Sequence, residues 1–377
     1  MDVSTEMVYP LIPLYLTSVL GATPALVGVI EGIAESTASL LKVFSGYITD
    51  KYKRKKPIAF IGYATGVLYK LALIFASSWA GVLAARVVDR FGKGIRTAPR
   101  DVMVSESSAE GDMGKSFGIH KAMDMAGSVI GILLAYLLLR NLGSISGSYR
   151  TLFIISIIPG ILALLMFAFV REKKEPRDIK TREHFWKNMS GLDSRLKLYL
   201  FVVFVFTLGN SSNTFLLLRA KSAGFDDTNV ILLYFIYNLT ASVLAVPFGR
   251  LSDKAGRRNV LVCGYIVFSA VYFGFAFSDA KRSFVLLFIL YGIFTSMTAG
   301  VERALIAEMS PASLKGTMLG LHSTITGIAL LPASMICGFL WNSFGDSVPF
   351  VFGASMSLLS ALILALFFRD KSSSKAA

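Results

Sequence analysis

With 54% hydrophobic and only 16% charged residues over 377 positions, and a mean hydropathy of +0.62, the chain falls outside the soluble globular class and reads as a membrane protein. Its net charge of +14 does not signal nucleic acid, because the basic residues outside the apolar runs collect in alternate connections, the pattern of loops that face the cytoplasm. The apolar runs do not alternate in hydropathy, which excludes a β-barrel, and the two cysteines, Cys263 and Cys337, sit in apolar runs and read as free buried thiols.

Twelve apolar segments approach the roughly 20 residues that a helix needs to cross a hydrocarbon core. The first, residues 1–20, has no basic, cleavable amino-terminal region and is expected to span the membrane; it carries Asp2 and Glu6. The second, 25–48, carries Glu31, Glu35 and Lys42 at spacings of four and seven, and the third, 58–77, carries Lys70. The fourth is entered at Trp79 and runs through a densely charged stretch from Arg86 to Glu106. In it Arg86, Arg90, Lys93, Arg96 and Arg100 recur at steps of three or four along one helical face. A charged stripe at membrane depth is costly, so it is expected to face a cavity or a partner.

The fifth segment, 117–139, opens with His120, Lys121 and Asp124 and continues with Gly127-x-x-x-Gly131, a spacing that permits close helix contact. The sixth, 152–170, is almost purely apolar, and the basic, Pro176-containing run 171–197 is the linker between two halves. Segments seven to twelve fall at 198–218, 230–248, 260–277, 284–309, 318–341 and 350–368. Polar interruptions occur at Asn210-Ser-Ser-Asn213, at Asn238 and Thr240, at Glu302 and Arg303, and at His322.

An internal repeat sets the architecture. Gly46-Tyr-Ile-Thr-Asp50-Lys51-Tyr-Lys53-Arg54-Lys55 matches Gly249-Arg-Leu-Ser-Asp253-Lys254-Ala-Gly256-Arg257-Arg258 at an offset of 203, and Phe117-Gly118-Ile-His120 matches Leu319-Gly320-Leu-His322 at 202. Two matches at nearly one spacing imply homologous six-helix bundles: residues 1–170, a cytoplasmic linker 171–197, residues 198–369 and a cytoplasmic tail 370–377. Parallel repeats of this kind place the substrate near the midplane between them. Setting Asp2–Glu6 against Asn210–Thr214 leaves one residue before Asp2 where Asn210 has an apolar run from Leu198, so the expectation is either a first helix that begins short or a sequence truncated at its start.

At these residues the chain resembles the major facilitator superfamily of secondary transporters. Both copies follow the family's loop signature Gly-x-x-x-Asp-(Arg/Lys)-x-Gly-(Arg/Lys)-(Arg/Lys), with Lys53 replacing the second Gly in the first copy. The resemblance implies an all-α membrane protein of twelve transmembrane helices in two pseudo-symmetric bundles. It also implies a conformational latch built from Asp50 with Lys51 and from Asp253 with Lys254 and Arg257. The fourth segment, Asp89-Arg90-Phe-Gly92-Lys93-Gly94-Ile-Arg96-Thr-Ala-Pro99-Arg100-Asp101, looks like that of a prokaryotic subgroup. The fifth partly matches an antiporter motif through Gly118, Gly127 and Gly131, with Ile132 where that motif has Pro.

For the stripe, one reading makes Arg90 and Lys93 the basic wall that binds an anionic solute, since a guanidinium grips a carboxylate at two points; the other makes it an internal ion-pair network. Arg86 is read as structural, and Arg96, Arg100 and Asp101 as gate residues. Glu31, Glu35 and Glu6 are either proton carriers, with burial and like charge raising their proton affinity, or partners of the basic residues. Asn210, Asn213 and Asn238 either line the cavity or bond between helices. Glu302 and Arg303 are read as a gate pair first and a solute contact second, and His120 and His322 as repeat-related gate contacts ahead of a metal site.

No phosphate-cradling or Cys-rich motif occurs, so neither enzyme activity nor a cofactor nor a metal is expected, and transport would run on ion gradients. The expectation is a monomeric, multi-pass transporter in the inner membrane of a prokaryote, both termini cytoplasmic, surrounded by lipid. It moves a small anionic organic solute by alternating access coupled to protons, with sodium as the alternative ion; a proton-coupled multidrug exporter and a non-transporting membrane sensor or scaffold are the competing readings.

Overall fold

The computed structural model describes residues 1–52, 55–107, 113–143, 146–170, 172, 193–310 and 315–368. The described residues are almost wholly helical: α1 (Asp2–Glu6), α2 (Leu11–Leu14) continued by a π-helical turn (Tyr15–Val19), α3 (Pro24–Tyr52), α4 (Lys55–Phe75), α5 (Trp79–Ser107), α6 (Met113–Leu142), α7 (Ser146–Leu165), α8 (Ser194–Gly209), α9 (Thr214–Ser222), α10 (Asp227–Ala255), α11 (Arg257–Phe277), α12 (Lys281–Met309), α13 (Lys315–Phe344) and α14 (Val348–Phe367). Ten stretches among the described residues are long and apolar enough to cross a membrane. The first and fourth of the twelve expected spans fall short of that measure, the first because it is broken and the fourth because α5 carries the charged stripe. Together they make the twelve-helix fold in two halves. Most of the linker 171–197 and the tail 370–377 lie outside the described residues.

Two spans expected to be continuous are interrupted. The first changes from α1 to α2 through turns at 7–10, where Pro10 brings no backbone donor to the helix. The seventh stops at Gly209 and restarts at Thr214. Asn210 leaves the helical region with φ −101° and ψ 77°, and Ser212 Oγ takes the Thr214 amide at 3.3 Å, a local bond of the kind that lets short polar side chains compete with the helix. At the repeat offset of 203 the breaks coincide: residues 7–10 match 210–213. The counterpart of the Asn210 patch is therefore this break and not Asp2–Glu6.

Within the first half α3 packs on α5, α4 on α5 and α7, and α1 on α6 and α7; within the second α10 and α11 pack on α12, and α14 on α8 and α11. The halves meet along α3 with α13 and along α6 with α10, two interfaces that the repeat exchanges. Gly131 permits the closest part of the α1 contact, since a Cβ there would stand 2.4 Å from the Val3 carbonyl oxygen. Four chain reversals with glycines in the left-handed region, Gly21, Gly143, Gly224 and Gly345, mark one end of the bundle. The described bonds between halves lie from that end to mid-depth. Tyr149 donates to the Asp227 carboxylate, Ser212 to Glu31 at 3.4 Å and Ser36 to the Gly327 carbonyl at 2.9 Å. The rings of Tyr9 and Tyr234 lie 6.0 Å apart. Toward the opposite end, a Cβ at Gly300 or Gly320 would meet nothing within 4 Å.

Candidate functional site

Glu31 and Glu35 stand one turn apart on α3, and Arg86 and Arg90 one turn apart on α5, so the two packed helices present matching rungs. Arg86 Nη2 reaches both oxygens of Glu31 at 2.6 Å, and Arg90 Nη2 reaches Glu35 Oε1 at 2.9 Å. Asp89 stands between the two arginines, 4.0 Å from Arg86 and 3.8 Å from Arg90. The ring of Tyr9 covers both guanidinium groups at 5.4 and 5.8 Å. Both arginines are buried, and taking charges from water costs several kcal/mol per ion unless geometry and hydrogen bonds compensate. Three carboxylates around two guanidiniums supply that compensation. The rungs differ in access: the Glu31 side chain is 1% exposed and that of Glu35 is 23% exposed.

The difference arises because Glu35 borders a cavity of about 370 Å³ and Glu31 does not. The cavity is walled by Tyr9 and Glu35 from the first half and by the broken seventh span, Asn210 to Asn213, from the second. Tyr237 from α10, Tyr291, Phe294, Thr295 and Glu302 from α12, and His322 and Thr326 from α13 complete most of the wall. Asn213 is held between two of these tyrosines: Tyr291 donates to its Oδ1 at 2.8 Å, and its Nδ2 donates to the Tyr237 hydroxyl at 3.4 Å. Tyr9, Tyr234, Tyr237 and Tyr291 form a continuous aromatic wall that crosses from one half to the other, with successive centroids 6.0, 5.5 and 5.0 Å apart. Glu302 accepts from the Tyr265 hydroxyl at 3.1 Å and lies 3.8 Å from His322 Nε2.

Of the residues singled out in the sequence, Glu35, Asn210, Asn213, Glu302 and His322 come together on the cavity wall. Arg90 stands immediately behind Glu35 and not on the wall itself. Lys93 is half-buried outside the lining. Asn238 donates back to the Tyr234 carbonyl of its own helix at 2.9 Å.

Among the gate residues, Arg96 lies 4.6 Å from the ring of Tyr63 and reaches the Gly62 carbonyl at 3.4 Å, so it binds α5 to α4. Arg100 pairs with its neighbour Asp101 at 2.9 Å. Asp253 meets Arg257 at 3.5 Å across the turn at Gly256, whose φ of 86° suits the glycine of the loop signature. Arg257 continues to Glu308 at 2.7 Å, while Lys254 and Arg303 are exposed. The side chains of Asp50 and Lys51, and residue Lys53, lie outside the described residues. His120 faces Asp124 at 3.5 Å.

Sequence reasoning missed Tyr9, Tyr237 and Tyr291, because an aromatic residue inside an apolar run looks the same whether it fills the core or lines a cavity. It placed His322 at the gate, where the structure puts it on the cavity wall. It also missed Arg219, buried on α9 with Asp279 at 2.8 Å and Asp346 at 3.0 Å, which ties three chain reversals together at the Gly21 end.

A two-half bundle with a polar, ionisable cavity between the halves is the architecture of a membrane transporter, and the comparisons agree. A sequence model of the Major Facilitator Superfamily matches residues 1–218 and again residues 198–377. An uncharacterized MFS-type transporter of Methanocaldococcus jannaschii is 37% identical over 369 residues, covering 96% of this chain and 91% of the relative. The cis,cis-muconate transport protein of Acinetobacter baylyi is 23% identical over 349 residues, covering 87% and 82%. The fold is similar to a crystal structure of a nucleoside transporter, with a TM-score of 0.81 at 12% identity, covering 98% of each chain. The chain belongs to the Major Facilitator Superfamily.

Proposed function

We propose that the protein moves a small anionic organic solute by alternating access, with a proton carried on Glu35. The observation that carries this reading is the Glu35 to Arg90 pair at 2.9 Å, in which a cavity-facing carboxylate masks a buried guanidinium. While Glu35 is ionised it competes with any anion for Arg90. A proton on Glu35 removes the competitor and leaves Arg90 short of negative charge, and a solute carboxylate then restores the balance. Proton and solute thus favour each other's binding, which is the free-energy coupling a symporter needs. Glu31 and Arg86, with no face on the cavity, hold α3 and α5 together through the cycle.

In this reading the halves 1–170 and 198–369 rock as units about the α3 with α13 and α6 with α10 interfaces, linked through 171–197. The Gly21 end is outermost, both termini are cytoplasmic, and the described conformation is closed outside and open toward the cytoplasm of a prokaryotic inner membrane. The Asp253 loop and Arg100 with Asp101 serve the inner gate. The protein acts as a monomer, and its fourth-span motif places it in a prokaryotic subgroup of the family. The relative named for muconate, a carboxylate, supports the anionic class. The tyrosine wall favours a second reading, export of flat amphipathic compounds, which would show as binding insensitive to the carboxyl group. The test is uptake of radiolabelled aromatic carboxylates into proteoliposomes under an imposed pH gradient. An acid exterior should drive uptake by the wild type and not by Glu35→Gln; uptake indifferent to the gradient would remove the proton from the mechanism.

A further inference from the structure

On the first-half wall of the cavity Glu35 is matched by Arg90; on the second-half wall Glu302 has no arginine or lysine partner among the described residues. One of its oxygens accepts from the Tyr265 hydroxyl at 3.1 Å, and the other lies 3.8 Å from His322 Nε2. Among the described residues no lysine or arginine forms an ion pair with Glu302, and Arg303, the next residue, is exposed. His322 is 9% exposed, yet its Nε2 is buried without a hydrogen-bond partner. A separation of 3.8 Å is too long for a direct hydrogen bond, so a carboxylate oxygen and a ring nitrogen stand side by side on the cavity wall without bonding each other. With the His322 proton on Nδ1, Nε2 is an acceptor without a donor, and the Glu302 carboxylate has no arginine or lysine beside it among the described residues. The cavity is the side from which both can be supplied.

An ammonium group supplies both at once, several N–H donors and a full charge on one small centre. We propose that Glu302 and His322 form an ammonium subsite and that the transported solute is an aminocarboxylate. Its carboxylate lies toward Arg90, which rests on the anion reading above; its ammonium bridges Glu302 Oε2 and His322 Nε2, and its body lies along Tyr237 and Tyr291. The solute then touches both halves, and each half contributes the charge that the other lacks. Specificity follows from pairing at both ends: a solute missing either group leaves a buried charge on the protein unmatched.

The test uses the full-length chain purified in detergent and three probes of one skeleton, benzoate, benzylamine and 4-(aminomethyl)benzoate, with affinities read by calorimetric titration. The aminocarboxylate is expected to bind at least about tenfold more tightly than benzoate. Glu302→Gln should abolish that advantage, read as the ratio of the two affinities within the same variant, and His322→Asn should reduce it, which keeps the comparison alive if the first variant does not fold. An advantage that survives both substitutions, or an aminocarboxylate no tighter than benzoate, overturns the subsite, as does the failure of all three probes to bind. If benzylamine binds and depends on Glu302 while benzoate binding is absent or indifferent to Arg90→Gln, the anion reading fails and the ammonium subsite stands.

Discussion

Glu35 reaches Arg90 at 2.9 Å from the wall of the cavity, so a buried guanidinium stands directly behind a carboxylate that borders the solute space. One turn away Arg86 and Glu31 repeat the pair at 2.6 Å with no such access. The two rungs have the same chemistry and different surroundings, which separates their expected behaviour on mutation.

Arg86→Met should behave as a stability lesion. It strands the Glu31 carboxylate and should cost about 3–5 kcal/mol, the usual consequence of removing one partner of a buried pair. Thermal unfolding of purified protein reads this directly, and Arg86→Met with Glu31→Leu should recover most of the loss. A single variant as stable as the wild type would place the strength of the first bundle elsewhere.

The bond from Tyr149 to Asp227, backed by Lys221, ties α7 to the start of α10 across the two halves. Tyr149→Phe removes a hydrogen bond to a charged group, worth about 1.5–3 kcal/mol, and should shift the population toward opening at the Gly21 end by about tenfold or more. Cys337, buried on α13 in that part of the molecule, is the native reporter once Cys263 is replaced by Ser. Its labelling by a membrane-impermeant maleimide applied outside should rise in Tyr149→Phe; unchanged labelling would deny this bond a part in closure.

Gly131→Leu should destabilise the first bundle, because even a Cβ there would meet the Val3 carbonyl oxygen at 2.4 Å and backbone does not move aside cheaply. A melting temperature lowered by several degrees is expected, with Gly131→Ala intermediate. Gly147, where a Cβ meets nothing within 4 Å, serves as the control and should tolerate alanine.

The twelve spans and the twofold repeat were legible because hydropathy over twenty residues and a repeated charged loop are properties of the sequence alone. The stripe on α5 was legible too, as were Glu31 and Glu35 as its opposite charges, since spacing of four fixes a face. What spacing did not reveal was which carboxylate meets which arginine, or that Glu35 alone of the pair borders the cavity; both depend on how deeply α3 and α5 interlock and where the second half withdraws. The breaks at 7–10 and 210–213 had a visible signal in Pro10 and in Asn210-Ser-Ser-Asn213, and at an offset of 203 they support each other. Tyr237 and Tyr291 had none, because the face of α10 and α12 that they occupy is fixed only by assembly.

The central claim is that a proton on Glu35 frees Arg90 for the solute. It is tested most directly by counting protons taken up when benzoate binds the purified protein in weakly buffered detergent solution near neutral pH. The sign follows from the pair: ionised Glu35 opposes the anion, so affinity falls as pH rises and binding draws a proton in. The wild type should take up about one proton per benzoate bound, and Glu35→Gln none, with affinity no longer dependent on pH. Binding without proton uptake in the wild type, or the same uptake in Glu35→Gln, would contradict the account.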